Sequence, residues 1–543
     1  MALSLEQAPQ KKKKEDLTQA LSSGCLPCNN NNSSLPRGKA PGFDGLPYEF
    51  YQRFWEQLGP ELTAVLQAAF QPDGPGQLPP DMTEGRITLL YKGKGLDRAL
   101  PASYRPITLL NTDYKLAARV LADRLGPLLN HVVDSTQTGF LPQRWIGDNI
   151  LAHLEIIAWY QRTQQPGVLL FLDFEKAFDR PWLQRCMAAT GFGAGAQRWV
   201  SLMHASTSAK VAFNGWHTQR FPVQPGVFQG SPLSPLLFVL AVQPMSAHAR
   251  QLATQQGLHG LRLPDGQASP FLHLHADDTT VHASTPADAQ AVLDGSIALH
   301  VDATGARLQR SKSIGMGIGS LQHLVGPDQA TGITFSAAGT SVRHLGIPLS
   351  TDAGRAAETL YADILQRLHT RIARWSGFRL SLLGRAHVAK QVLVSMFTYH
   401  GTFIPVPEQL LRQLCTAVYT FVAANRPVVA GAAHLHPSRD VSSRAVDQDK
   451  DYKVMELLRP AVLGCCDSLG VHWSGAWSHS VRPGSRPEAS HGWRAHAYRR
   501  GDGTGWGQPG LAGKTKCVVP SVGKSDRAAR EDVVLAQAAL GHG

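Results

Sequence analysis

Across 543 residues, 53 Lys and Arg outnumber 41 Asp and Glu, a formal charge of +12 that suits a phosphate-bearing partner on a chain long enough for several cores. No uninterrupted apolar run reaches the roughly 18–20 residues of a membrane span, and Met1–Gln10 lacks a signal-peptide core, so neither a membrane protein nor a secreted one is expected. Seven cysteines without repeating spacing argue against a disulfide scaffold, and Cys25-Leu-Pro-Cys28 has no second pair with which to hold zinc.

In chain order, residues 1–35 read as a disordered basic and polar tail, from the run Lys11–Lys14 and the stretch Asn29–Ser34, with a short helix at Glu15–Ser22. From 36 to 165 the pattern is mostly helical, with a hairpin at Arg86–Gly93 and an amphipathic helix at Tyr114–Leu125 that carries Lys115, Arg119 and Arg124. From 166 to 350 strands and helices alternate. A buried strand is expected at Val168–Leu172, bounded by Pro166-Gly167, then a hairpin around Lys210–Phe213 and Thr218–Val223. A helix follows from Leu236, then a hairpin centred on Asp277, then a helix through Ala287–Val301. This order fits an α+β fold with a small antiparallel sheet backed by helices. From 351 to 430 the pattern is helical again, with Ile364, Leu368, Ile372 and Trp375 at helical spacing before Leu380–Lys390. Residues 431–543 lose periodicity. Ser474–Lys516 is rich in Gly, Pro, Ser, His, Arg and Trp, and only Ser525–Leu540 carries a helix signal.

The chemistry concentrates in Phe271-Leu-His-Leu-His-Ala-Asp-Asp-Thr-Thr-Val-His282. Apolar alternation on both sides of an acidic turn predicts a hairpin with Asp277 and Asp278 at its tip. Neighbouring carboxylates disfavour each other's ionised form, and a hard divalent cation such as Mg²⁺ relieves that conflict; an ordinary Asx turn is the structural alternative. The strand ending at Asp173 offers a third carboxylate. Three such groups around two metal ions are the equipment for in-line displacement at phosphorus.

These motifs stand in a recognisable series. Gly38-Lys-Ala-Pro-Gly-Phe-Asp-Gly-Leu-Pro-Tyr-Glu-Phe-Tyr51, Ser103-Tyr-Arg-Pro-Ile-Thr-Leu-Leu-Asn111 and Gln137-Thr-Gly-Phe-Leu-Pro142 precede Asp173-Phe-Glu-Lys-Ala-Phe-Asp179. Gln229-Gly-Ser-Pro-Leu-Ser-Pro235, His275-Ala-Asp-Asp278, Ser311-Lys-Ser313 and His344-Leu-Gly-Ile347 follow. In content and order the series resembles the reverse transcriptase of non-LTR (LINE-type) retrotransposons, from about residue 36 to about 400.

The resemblance implies a right-hand polymerase, with fingers at 36–165, a palm at 166–350 into which part of the fingers intervenes, and a helical thumb at 351–430. It implies RNA-directed DNA synthesis with two Mg²⁺ ions, Mn²⁺ as a substitute, on Asp173, Asp277 and Asp278. Phe178 would sit under the nucleotide sugar and select deoxynucleotides; Gln229 and Gly230 would approach the nucleotide. Lys312 would meet the triphosphate or leaving pyrophosphate, and Lys115 and Arg124 the incoming triphosphate. Arg105 would touch template, and Arg371, Arg374, Arg385 and Lys390 the duplex backbone. The implied partners are an RNA template, a DNA primer or target and deoxynucleoside triphosphates, with no membrane, inside the cell and in the nucleus during integration.

Solvated basic faces and core aromatics are the bland alternatives for the Lys, Arg and Phe assignments. Two positions depart from the pattern. His275 stands where the family carries Phe or Tyr, and Gln309 where it carries Asn. An intron-maturase-like reverse transcriptase is the neighbouring alternative, against which the Gly38–Tyr51 motif and the thumb likeness speak. A non-catalytic, truncated element remnant is the alternative of another kind, with 431–543 as its decayed or disordered end.

Overall fold

The computed structural model describes residues 37–71, 73–93, 95–175, 180–223 and 227–423. The expected tails, with the helix signals at Glu15–Ser22 and Ser525–Leu540, lie outside these residues, as does Phe178.

Two short helices open the described chain, α1 (Tyr48–Arg53) and α2 (Trp55–Phe70). Strands β1 (Glu84–Tyr91) and β2 (Tyr104–Leu109) then pair antiparallel, with Leu90 opposite Arg105. The expected hairpin inside Arg86–Gly93 is instead one straight strand. Its other edge is taken by a parallel partner from far along the chain, β5 (Ser208–Phe213). β5 in turn pairs with β6 (Trp216–His217) and β7 (Phe221–Pro222), so part of the segment after 166 does return to this first sheet. Helix α3 (Thr112–Leu129) packs Tyr114, Ala118, Leu121 and Leu125 into a core shared with α5 (Arg180–Ala189), α6 (Ala194–His204) and the start of α7 (Ser234–Gln256). Pro235 in the first turn and Gly257 at φ +65 mark the ends of α7, the positions where a missing N–H and a left-handed residue cost least.

The second sheet carries the site. Its order is β12-β13-β11-β3-β9-β8, with β3 (Pro166–Leu172) inside, flanked by β11 (Ile314–Gly319) and β9 (Asp278–Ala283). β8 (Leu272–His275) forms one edge, β12 (Gly326–Pro327) the other, and β13 (Thr334–Phe335) runs parallel to β11. β3 is apolar on both faces because both are covered. Val168, Leu170 and Leu172 enter a core with Val242, Met245 and Ala249 of α7 and with the helical stretch from Pro286 to Thr304. Leu169 and Phe171 enter another core with α4 (Ile146–Thr163) and the C-terminal helices. Each such fully buried side chain contributes roughly 1.5–3 kcal/mol.

Those C-terminal helices are α10 (Ala353–Ser376), capped by Asp352 accepting from the Arg355 N–H at 3.0 Å, and α13 (Glu408–Val422), with shorter helical turns between. Ile364 and Leu368 are buried as their spacing predicts, while Ile372 and Trp375 are partly covered. α4 shares its core with the second sheet and with residues 356–422.

Candidate active site

Asp173 follows directly on β3, and its backbone is held from both sides. Its N–H donates to Ser313 Oγ at 3.1 Å, and its carbonyl accepts from the Gln309 N–H at 2.9 Å. The Ser313 hydroxyl donates back to the Gln309 carbonyl at 2.9 Å, so the turn entering β11 braces the end of β3. Gln309 does this through its main chain, which makes the departure from Asn harmless to this contact. Lys312, in the same turn, is ion-paired with Glu175 at 3.5 Å across exposed surface.

The two other acids arrive on a tight hairpin. β8 and β9 pair with His275 opposite Asp278, leaving Ala276 and Asp277 as the turn. β9 also pairs with β3, Leu172 opposite Thr279, and one further step along that register sets Asp173 across from Asp278. The electrostatics report the convergence. Burial first, then the charges of Asp277 and Asp173, push the Asp278 carboxyl up to about 6. Among the described residues, no three His, Cys, Asp or Glu side chains close into a metal-holding group. Hard carboxylate oxygens of this kind suit a divalent cation.

Beneath the hairpin four buried histidines meet: His153 of α4, His273 of β8, His282 of β9 and His344 of β14 (Val342–His344). Their hydrogen bonds fix one tautomer each. His153 Nδ1–H donates to the Asn149 carbonyl at 2.6 Å, so its Nε2 accepts from His282 Nε2–H at 3.1 Å. The Ser269 hydroxyl accepts from His273 Nε2–H at 3.2 Å and shares its one proton between His282 Nδ1 and the Pro270 carbonyl, both at 3.3 Å. His344 Nε2–H donates to Asn149 Oδ1 at 3.1 Å, and Asn149 Nδ2–H donates to the Leu274 carbonyl at 3.2 Å. Burial pushes His153 down to about 4, His273 and His344 to about 3, and His282 well below its ordinary value. His275, nearer the tip, bonds Thr138 Oγ1 at 2.9 Å; burial lowers it while Asp277 pulls the other way.

The loop before α7 is built on a close approach. The Gln229 carbonyl accepts from the Thr108 N–H of β2 at 2.9 Å. Gly230 sits at φ +138, where an added Cβ would lie 2.2 Å from the Thr108 carbonyl oxygen, so no side chain fits. Both residues are exposed.

The remaining cations divide. Arg105, Arg371, Arg374 and Lys390 are exposed, and Arg124 is half-buried on α3. Lys115 is buried: its ammonium donates to the Ala40 carbonyl at 3.3 Å and lies 5.1 Å over the Tyr48 ring. Burial lowers it, with Asp44 and Asp113 opposing. Lys115 thus joins the Gly38–Tyr51 segment to α3. Arg385 donates to the carbonyls of Val422 and Leu380, both at 2.8 Å, tying the end of α13 to its own segment. A guanidinium so engaged packs helices together. Sequence reading passed over the histidine cluster and Asn149, whose partners come from segments far apart in the chain, and Arg144, which gathers the carbonyls of its own loop.

Residues 92–349 match the family described as Reverse transcriptase (RNA-dependent DNA polymerase). The chain is similar to the Transposon TX1 uncharacterized 149 kDa protein of Xenopus laevis, 30% identical over 75% of this chain and 30% of that protein. It is similar to the Pol polyprotein from the type-2 retrotransposable element R2DM of Drosophila melanogaster, 27% identical over 45% of this chain and 22% of that protein. It is also similar to the RNA-directed DNA polymerase from mobile element jockey of the same fly, 24% identical over 40% and 24%. The chain therefore spans less than a third of the length of these relatives. The apo telomerase of Candida tropicalis aligns over 77% of this chain and 68% of that one, at 12% identity and a TM-score of 0.38, too loose a likeness to argue from.

Proposed function

We propose that the chain is a reverse transcriptase of the non-LTR retrotransposon kind, a right-hand polymerase on this α+β fold that extends a DNA primer on an RNA template, a reading supported by the family match and the curated relatives. The observation that carries the proposal is the strand register that brings Asp173, at the end of β3, beside the hairpin tip bearing Asp277 and Asp278. Two Mg²⁺ ions, or Mn²⁺ in their place, would supply Lewis-acid activation of the primer hydroxyl and charge neutralisation at the departing pyrophosphate.

The residues of the chain do the holding. Asp173, Asp277 and Asp278 are the assigned metal ligands, the first pinned by the 309–313 turn. Gln229 and Gly230 present a bare backbone to the nucleotide, and Phe178 is the assigned selector of deoxy sugars. Lys312, paired with Glu175, is assigned to the triphosphate, where it would exchange a carboxylate for phosphate oxygens. Arg124 is assigned to the incoming triphosphate, Arg105 to template, and Arg371, Arg374 and Lys390 to the duplex backbone. Residues 36–165, 166–350 and 351–430 are the proposed fingers, palm and thumb, and the nucleus the proposed place of action. No described helix is long and apolar enough to cross a membrane.

The test is primer extension by the full chain on a primed RNA template with Mg²⁺, beside Asp277→Ala/Asp278→Ala. Extension by the parent alone supports the proposal. A folded parent as silent as the double variant, with Mn²⁺ also tried, leaves a remnant that keeps the fold without the activity.

A further inference from the structure

The acidic hairpin turns through a residue that is unusual for its place. Ala276, the first of the two turn residues, has φ +58, a left-handed conformation that costs a side-chain-bearing residue about 1 kcal/mol and is normally given to glycine. Ala276 is buried, so its peptide groups need partners. They find them in one side chain from outside the hairpin. Gln137 Oε1 accepts from the Ala276 N–H at 2.9 Å, and Gln137 Nε2–H donates to the Ala276 carbonyl at 3.4 Å. The same oxygen accepts from the Gly139 N–H at 2.8 Å.

The clamp is itself anchored. Gln137 is almost fully buried, and its segment runs beside β8, with Thr138 N–H donating to the Leu274 carbonyl at 2.9 Å and Leu274 N–H to the Thr136 carbonyl at 3.0 Å. Arg144 gathers the carbonyls of Gln137 at 2.6 Å, Val133 at 2.7 Å, Asn130 at 3.4 Å and Asp134, fixing the loop from which Gln137 reaches. Gly139 passes so close that a Cβ there would lie 2.5 Å from the Ala276 nitrogen. Two independent features, a carboxamide matched to the N–H and the carbonyl of one residue and a glycine-dependent approach, converge on the turn that aims the acids.

We propose that Gln137 is a positioning residue of the polymerase site: it fixes the Ala276 turn and through it the directions of Asp277 and Asp278. This rests on the reading of those acids as metal ligands. The carboxamide suits the task because it offers donor and acceptor together without adding a fourth negative charge beside three carboxylates.

The experiment uses the full chain, with Gln137→Met and Gln137→Glu beside the parent and Asp277→Ala/Asp278→Ala. For Gln137→Met, the expected result is unchanged primer–template affinity with single-nucleotide turnover lowered on the order of 10²-fold, because ångström-scale misplacement of reacting groups has that effect. The Mg²⁺ requirement rises, and hydrogen exchange of the hairpin peptide 274–279 accelerates. Gln137→Glu keeps the accepted bonds but turns an acceptor toward the Ala276 carbonyl and adds a fourth negative charge, so its turnover stays low; parent-like turnover in this variant too counts against the proposal. Parent-like turnover in Gln137→Met, or a loss that tracks only melting temperature or template affinity with hairpin exchange unchanged, overturns the proposal. If even the parent fails to extend, the reverse transcriptase reading falls separately, while hydrogen exchange still decides whether Gln137 holds the turn.

Discussion

Acidification should unfold this protein in a pH window set by its buried histidines. His153, His204 and His300 are held at about 4 and His273 and His344 at about 3, with His282 well below its ordinary value, in each case chiefly by burial. The sign follows from where the protons go. The unfolded chain binds them as pH falls through about 6.5, while the folded chain does not, so the stability contribution is complete above about 6.5 and is lost below it. One unit lower, near pH 5.5, each such histidine costs about 1.4 kcal/mol, roughly 8 kcal/mol for the six. Asp113 and Asp278, both raised to about 6 chiefly by burial, work in the opposite sense. After screening they return under about 1 kcal/mol each, leaving a net loss of roughly 6 kcal/mol, comparable to the whole stability of an ordinary domain. The histidine cluster under the hairpin gives this loss a mechanism. His153 Nε2 accepts from His282 Nε2–H, so protonating His153 sets two donors against each other at 3.1 Å. The assay is urea unfolding followed by tryptophan fluorescence at several pH values between about 7.5 and 5.5, with EDTA present so that the carboxylates stay metal-free. A loss of stability no larger than a single proton's share, about 1.4 kcal/mol, would refute the picture of neutral, locked imidazoles.

Other expectations concern the site and its supports. Asp278→Asn should abolish primer extension yet stabilise the metal-free protein by about 1 kcal/mol at neutral pH, because it removes a charge that its neighbours oppose; a lowered urea midpoint would count against that repulsion. Gly230→Ala should cost at least about 1–3 kcal/mol from the Thr108 clash and the φ of +138, and slow nucleotide incorporation, whereas a midpoint equal to the parent's contradicts the close approach. Arg385→Ala should cost about 1–3 kcal/mol by orphaning the Val422 and Leu380 carbonyls while leaving the salt dependence of template binding unchanged. Arg371→Ala or Arg374→Ala should do the reverse, each lowering the slope of log affinity against log salt by about one, which fluorescence anisotropy in a salt series would read.

What was legible in the sequence was whatever local pattern alone determines. β3 could be read because a strand buried on both faces is an unbroken apolar run, and the acidic hairpin because alternation flanks its tip. α3 and α10 announced themselves by apolar spacing, and α7 by an apolar run behind a Ser-Pro start. The reading failed where a partner lies far along the chain. Arg86–Gly93 looked like a self-contained hairpin because its parallel neighbour, β5, begins only at Ser208. Arg385 and Lys115 looked like free cations on helix faces, and only the packed structure supplies the carbonyls and ring that hold them. The histidines were invisible as a group for the same reason: four segments contribute one each, and a lone inward histidine on a strand carries no sign of the others.

The two-sided burial of β3 also sets an order of events during synthesis. Val168, Leu170 and Leu172 find their cover among residues up to Phe335, but Leu169 and Phe171 face a core completed by Leu360, Tyr361, Ile364 and finally Phe421 and Val422. A nascent chain that has just emerged through residue 349, where the family match stops, covers that face of its central strand with α4 but leaves the rest of the core an open apolar stripe. Until the last helix arrives, that stripe is a place for a chaperone to hold or for another nascent chain to stick. A recombinant piece trimmed to the family boundary inherits this condition permanently, and exposed apolar surface of that kind favours aggregation.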